Sequence, residues 1–181
     1  MEFPEDSLHI PAAFHSFEQD GPFTHCKICG GVLAACPEGY LIEKAYKGGE
    51  VLFEHAVCEP CRARVEAELS PESRERIMAH FAARVGEVEV WVDPQGRPDH
   101  EAALAECILK ERPPAGNEEY QIYARCEGDR LAYPFRPYML CGEAIDEIVD
   151  LLSEKTRGFL DDYMAEHFGP PSGAKRQLIL V

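Results

Sequence analysis

The pairs Cys26-Lys27-Ile28-Cys29 and Cys58-Glu59-Pro60-Cys61 constrain this chain more than any other feature. Two knuckles of C-x2-C spacing supply four thiolates, the number and softness that a tetrahedral zinc site takes. Four cysteines leave no coordination position for water or substrate, so Cys26, Cys29, Cys58 and Cys61 are expected to hold a structural rather than a catalytic Zn²⁺. A tetrathiolate iron site has the same geometry, and spacing alone does not separate the two metals. His25 and His55 stand beside the knuckles; with four thiolates in place, they are expected at the surface or hydrogen-bonded around the ligands.

Local patterns around the knuckles predict an α+β chain. Tyr40 to Tyr46 and Val51 to Val57 are β-favouring runs on either side of Lys47-Gly48-Gly49-Glu50, a hairpin signal, and the second run leads directly into Cys58. Cys61, Val65 and Leu69 then recur at helical spacing. Ser70-Pro71-Glu72 opens a second helix with an N-cap, a proline and an early acid, and Ile77, Phe81 and Val85 form its stripe up to Gly86.

The same order returns downstream. Tyr120 to Cys126 and Leu131 to Leu140 flank Glu127-Gly128-Asp129-Arg130, and Cys141 begins a helix with Ile145, Ile148, Val149 and Leu152 on one side. Placing Cys58 on Cys141 without a gap puts Leu69 on Leu152, Ser70 on Ser153, Arg74 on Arg157, Ala82 on Ala165 and Gly86 on Gly169. This register predicts a duplicated ββαα unit. The expected organisation is an acidic extension over 1–24, a four-cysteine zinc module over 25–86, a second ββαα unit over 87–169 and a flexible tail over 170–181.

In the second copy Cys61 falls on Ala144, and the first knuckle corresponds to Cys107-Ile108-Leu109-Lys110, with lysine as its last residue. Cys107 and Cys141 are therefore either neighbours left from a lost metal site or two unrelated buried thiols. Cys126 is a poor partner for Cys141, because it stands by the turn, a full strand length away. Cys36 is expected as a partly exposed free thiol. Val88 to Val92 alternates as a strand anchored by Trp91, and a short helix is expected around Glu101 to Glu111 between two proline-rich loops. The apolar end Gln177 to Val181 is expected either to pair with a sheet edge or to stay without a role.

Charge and hydropathy narrow the functional classes. Residues 87–169 carry nineteen acids against eight bases, whereas 26–86 carry nine against eight. A four-thiolate zinc site adds local negative charge, so a phosphate backbone would be repelled and nucleic acid is not the expected partner. No apolar run approaches the roughly 18 residues that span a bilayer, and the acidic start lacks the basic and apolar regions of a secretion signal; a cytoplasmic protein is expected. No nucleotide-binding glycine loop, HExxH or Gly-x-Ser-x-Gly occurs.

With Cys26-Lys27-Ile28-Cys29-Gly30 upstream and Val57-Cys58-Glu59-Pro60-Cys61 running into a helix, residues 25–69 resemble treble-clef and zinc-ribbon modules with four cysteine ligands. They are similar to the amino-terminal zinc domain of the ClpX unfoldases, and the whole chain to small bacterial zinc-ribbon proteins of no assigned activity. The resemblance implies a zinc fold and a module that binds protein partners. Two functions follow as expectations: an interaction or adaptor module recognising another protein, and a thiol-based redox or zinc-release sensor using Cys107, Cys141 or Cys36.

Overall fold

The computed structural model describes residues 8–85 and 92–169. Gly86, residues 88–91 of the alternating stretch with Trp91, and the tail from residue 170, including Gln177 to Val181, lie outside the described residues.

The first hairpin forms as its pattern predicts. Strand β1 (Tyr40–Lys47) and strand β2 (Glu50–Cys58) pair antiparallel, with Tyr40 opposite Cys58 and Lys47 opposite Glu50. Gly48 and Gly49 both take positive φ (58° and 81°), as a two-residue type I′ loop requires. Helix α1 (Glu59–Glu68) starts immediately after Cys58, with Pro60 in its first turn, and buries Cys61, Val65 and Leu69 at its C-cap. Helix α2 (Pro71–Arg84) is capped by Ser70, whose side chain accepts from the Ser73 amide at 3.1 Å.

Helix α3 (His100–Ala105) ends well before Glu111. The helix expected over Glu101 to Glu111 is therefore only half realised, because residues 107–112 turn back on themselves. Strand β3 (Tyr120–Glu127) follows, then β4 (Arg130–Leu131) and β5 (Tyr138–Cys141). The single strand expected from Leu131 to Leu140 is thus interrupted. Pro134 and Pro137 lack amide donors, and the ladder with β3 lapses between Leu131 and Tyr138. Helix α4 (Gly142–Leu151) buries Ile145 and Ile148, with Leu152 buried at its C-cap. Helix α5 (Glu154–Phe168) is capped by Ser153 and buries Leu160.

One antiparallel sheet joins the two halves of the chain. Its order is β2-β1-β3-β4, with β5 also on β3, so the two hairpins meet along β1 and β3 with Glu43 opposite Tyr123. α5 covers one face: Phe168 packs on His55 with ring centroids 4.7 Å apart. On the other face the amino-terminal segment is tied down by Lys44 and Glu54, cross-strand neighbours 3.2 Å apart. Lys44 donates to the His15 carbonyl, and Glu54 accepts from the Ser16 hydroxyl and the amides of Phe17 and Glu18. A single buried apolar cluster runs through both halves, from Phe14 and Leu33 to Ile148 and Leu160.

Candidate metal centre

The first knuckle is a tight loop held from three sides. The Cys26 amide donates to the Gly31 carbonyl at 2.8 Å, the Gly30 amide donates to the Cys26 carbonyl at 2.9 Å, and the Lys27 amide donates to the Ala56 carbonyl of β2 at 2.9 Å. Gly30 has φ +72°, the left-handed conformation that turns the chain after Cys29. The third bond ties the knuckle to β2, which carries Cys58 at its end. Cys61 sits in the first turn of α1 and is fully buried. Strand end and helix start thus aim the second pair at the first.

The four sulfurs of Cys26, Cys29, Cys58 and Cys61 all lie within 4.8 Å of one another. Tetrahedral zinc with Zn–S bonds of about 2.3 Å places its sulfurs about 3.8 Å apart. The Cys29 and Cys58 sulfurs are 3.8 Å apart, so the donor set fits a metal of that size. Donors aimed at the sulfurs complete the fit. The Cys58 amide donates to Cys26 Sγ at 3.3 Å, the Gly31 amide to Cys29 Sγ at 3.4 Å, and Arg64 Nη2 to Cys61 Sγ at 3.2 Å. These N–H groups offset negative charge that four thiolates would place in one pocket.

The thiols differ in how readily they ionise. Burial opposes the Cys26 thiolate, but the amides of Cys29, Cys58 and Ile28 outweigh it and bring that thiol down to about 7. Burial pushes Cys61 up to about 11 and raises Cys58 as well. Cys29 is the exposed member of the set; the other three are buried. These four residues would hold a dication, whose positive charge would favour ionisation of the remaining thiols.

The other singled-out residues separate cleanly. His25 is at the surface, with Nδ1 2.9 Å from the Thr24 hydroxyl. His55 is neither a ligand neighbour nor a surface group: it is buried, and its Nε2 lies 3.1 Å from Glu43 Oε2 across the β1–β2 ladder. Cys36 is half-buried beside Glu38. Cys126 is buried against Tyr40, and burial pushes its thiol up to about 12. Cys107 and Cys141 are brought together, with the Cys141 amide donating to Cys107 Sγ at 3.3 Å.

Two arrangements were not anticipated from the sequence. One is the Glu43–His55 pair. Its signal was the alternation of β1, which places Glu43 on the same side as Leu41 and Ala45, where a charged residue is out of pattern. The other is an ionic cluster at the start of α4. Arg112 donates to both carboxylate oxygens of Glu118 (2.9 and 3.2 Å) and to Glu143 at 2.9 Å, while Lys110 pairs with Glu143 and Glu147. Glu118 also accepts from the amides of Ala115 and Glu143, the latter in the first turn of α4.

Among the described residues no helix is long and apolar enough to cross a membrane. Compared with known proteins, the chain matches no family model, no curated protein and no solved structure, so its own geometry carries the functional reading.

Proposed function

We propose that this chain is a cytoplasmic zinc protein whose metal is structural and whose work is to engage another protein. The observation that carries the zinc assignment is the closed set of four sulfurs within 4.8 Å, furnished with N–H donors and built on a strand end, a helix start and a knuckle pinned to that strand. Soft thiolates select zinc over harder cations, and a full set keeps substrate away from the metal. Native mass spectrometry of the full chain tests this directly: one zinc per chain is expected, and a Cys58→Ser variant that keeps full stoichiometry overturns it.

The zinc-ribbon character of 25–69 and the duplication of the ββαα unit, with the metal lost from the second copy, belong to the same proposal. Matching hairpins and capped helix pairs in the two halves support it. An interaction or adaptor role is supported by the excess of acid over base in residues 87–169 and by large apolar side chains at the surface, Phe17 at 81 % exposure and Met78 at 72 %. A Phe17→Ser or Met78→Ser variant that captures every partner as well as wild type would remove that support. The exposed sulfur of Cys29 favours a second reading, a zinc-release sensor. Peroxide should then eject the metal from wild type at stoichiometric dose; retention of zinc throughout sets this reading aside.

A further inference from the structure

The backbone around Cys107 and Cys141 reproduces, bond for bond, the backbone around Cys26 and Cys58. The Cys26 amide donates to the Gly31 carbonyl at 2.8 Å, and the Cys107 amide donates to the Arg112 carbonyl at 2.8 Å. The Gly30 amide returns to the Cys26 carbonyl at 2.9 Å, and the Glu111 amide returns to the Cys107 carbonyl at 2.8 Å. The residue after Cys26 donates to β2 through the Ala56 carbonyl at 2.9 Å, and the residue after Cys107 donates to β5 through the Met139 carbonyl at 2.9 Å. The amide of Cys58 points at Cys26 Sγ and that of Cys141 at Cys107 Sγ, both at 3.3 Å. Cys58 faces Tyr40 at the end of one ladder, and Cys141 faces Tyr120 at the end of the other.

One of these correspondences has no local reason. Gly30 takes φ +72° at no steric cost, but Glu111 takes φ +52°, a left-handed conformation unfavourable for a side chain of its kind. The knuckle shape is kept where the sequence no longer eases it. At the two remaining ligand places, the position of Cys29 is filled by Lys110 and that of Cys61 by Ala144, which is fully buried in the first turn of α4. Lys110 reaches across that turn to Glu143 and Glu147, and Arg112 binds Glu118 and Glu143. The knuckle is therefore tied to the helix start by ammonium and guanidinium groups against carboxylates, where the first half has four sulfurs.

We propose that Cys107, Lys110, Cys141 and Ala144 frame a latent second metal site, in which Lys110 and its carboxylate partners tie the knuckle to α4 where the first half has two further thiolates. The ligand class is a soft divalent ion with a preference for tetrahedral thiolate sets, zinc or its probe cobalt. Lys110 acts here in two ways. It ties the knuckle to α4 through Glu143 and Glu147, and it removes a ligand, leaving two thiols that cannot enclose a tetrahedral ion. The proposal rests on the reading of the first knuckle as a metal site.

The test restores the missing ligands in the full chain with Lys110→Cys and Ala144→Cys together, and counts metal by native mass spectrometry after zinc loading. Wild type is expected to hold one zinc and the double variant two, and cobalt loading should double the thiolate-to-cobalt charge-transfer absorption per chain. Adding Cys107→Ser to the double variant should abolish the gain. A folded double variant with the same metal count as wild type overturns the proposal while leaving the first site intact. A gain of one metal over a wild type that holds none would instead retire the zinc reading of the first knuckle and keep the second site. Should the buried change at Ala144 prevent folding, Lys110→Cys alone provides three thiols, and no cobalt absorption above the wild-type level then overturns the proposal as well.

Discussion

The hydroxyls of Ser70 and Ser153, 83 residues apart, lie 3.1 Å from each other while each caps its own helix. The exchange extends one turn further and is reciprocal. The Ser70 amide donates to Thr156 Oγ1 at 3.0 Å, and the Ser153 amide donates to Ser73 Oγ at 2.9 Å. Ser73 and Thr156 are fully buried and hydrogen-bonded to one another at 3.2 Å. The starts of α2 and α5 are thus held to each other by a reciprocal set of hydrogen bonds.

This lock predicts coupling between sites far apart in sequence. Ser73→Ala leaves the half-buried Ser153 amide without an acceptor and is expected to cost about 1–3 kcal/mol, as is Thr156→Ala at the Ser70 amide. The double variant should cost clearly less than the two single losses combined, because the residues share one network. Urea unfolding of the three variants measures it, and strict additivity would show that the cluster does not act as a unit.

Metal removal should be felt through the whole chain. β1 pairs with β3 along the middle of the sheet and one apolar cluster spans both halves, so the knuckles are not attached to a separable core. Chelation, or Cys58→Ser, is expected to lower the melting temperature in a single transition, with near-UV signals from Tyr123 and Tyr138 lost together with far-UV helicity. Two separate transitions would contradict that.

Gly39 should tolerate no side chain. Its φ is +81°, and a Cβ there would lie 2.5 Å from the carbonyl oxygen of Cys126, a backbone atom in the neighbouring strand. Gly39→Ala is expected to cost about 2–3 kcal/mol from left-handed strain and the clash together. Gly49→Ala, at the same φ but with nothing within 4 Å, should cost less in the same denaturation series.

The ionic cluster beside α4 gives stability a pH dependence of known sign. Arg112 beside Glu118, with burial opposing it, brings that carboxyl from 4.5 down to about 2. A carboxyl depressed in the folded state stabilises it above the unfolded value, and the benefit is lost as pH falls from about 4.5 towards about 2. Glu118→Gln should therefore flatten the acid limb of the stability curve in that window and leave the slope above pH 6 unchanged. An acid limb identical to wild type would place the titration elsewhere.

Glu43 and His55, both buried, face each other at 3.1 Å beneath α5. Glu43→Ala removes the carboxylate facing the buried imidazole and is expected to cost about 1–3 kcal/mol, whereas a joint Glu43→Met and His55→Phe exchange should recover most of that loss. Thermal melts of the single and joint variants give the comparison, and equal losses would mean that the pair is not the source of the cost.

The knuckles, the first hairpin and the capped helix pairs were legible in the chain because each depends on residues within a few positions of one another. C-x2-C spacing, Gly48-Gly49 and Ser70-Pro71 carry their geometry locally, and the spacing of Cys61, Val65 and Leu69 follows from helical periodicity alone. The strand expected from Leu131 to Leu140 failed at Pro134 and Pro137, where missing amide donors outweighed a β-favouring composition. The register of the two halves places the counterpart of the first knuckle at Cys107 to Lys110, yet the same residues also fall in an expected helix. The turned shape of that counterpart is tied to the Met139 carbonyl on a strand some thirty residues on, a bond with no trace in the local sequence. The same holds for Glu43 against His55, for Lys110 against Glu147 and for Ser70 against Ser153. Residue type and spacing determined most of the elements and which four sulfurs come together. The antiparallel pairing of β1 with β3 decided what those elements meet, because register between distant strands is chosen by the joint burial of both faces and not by either strand alone.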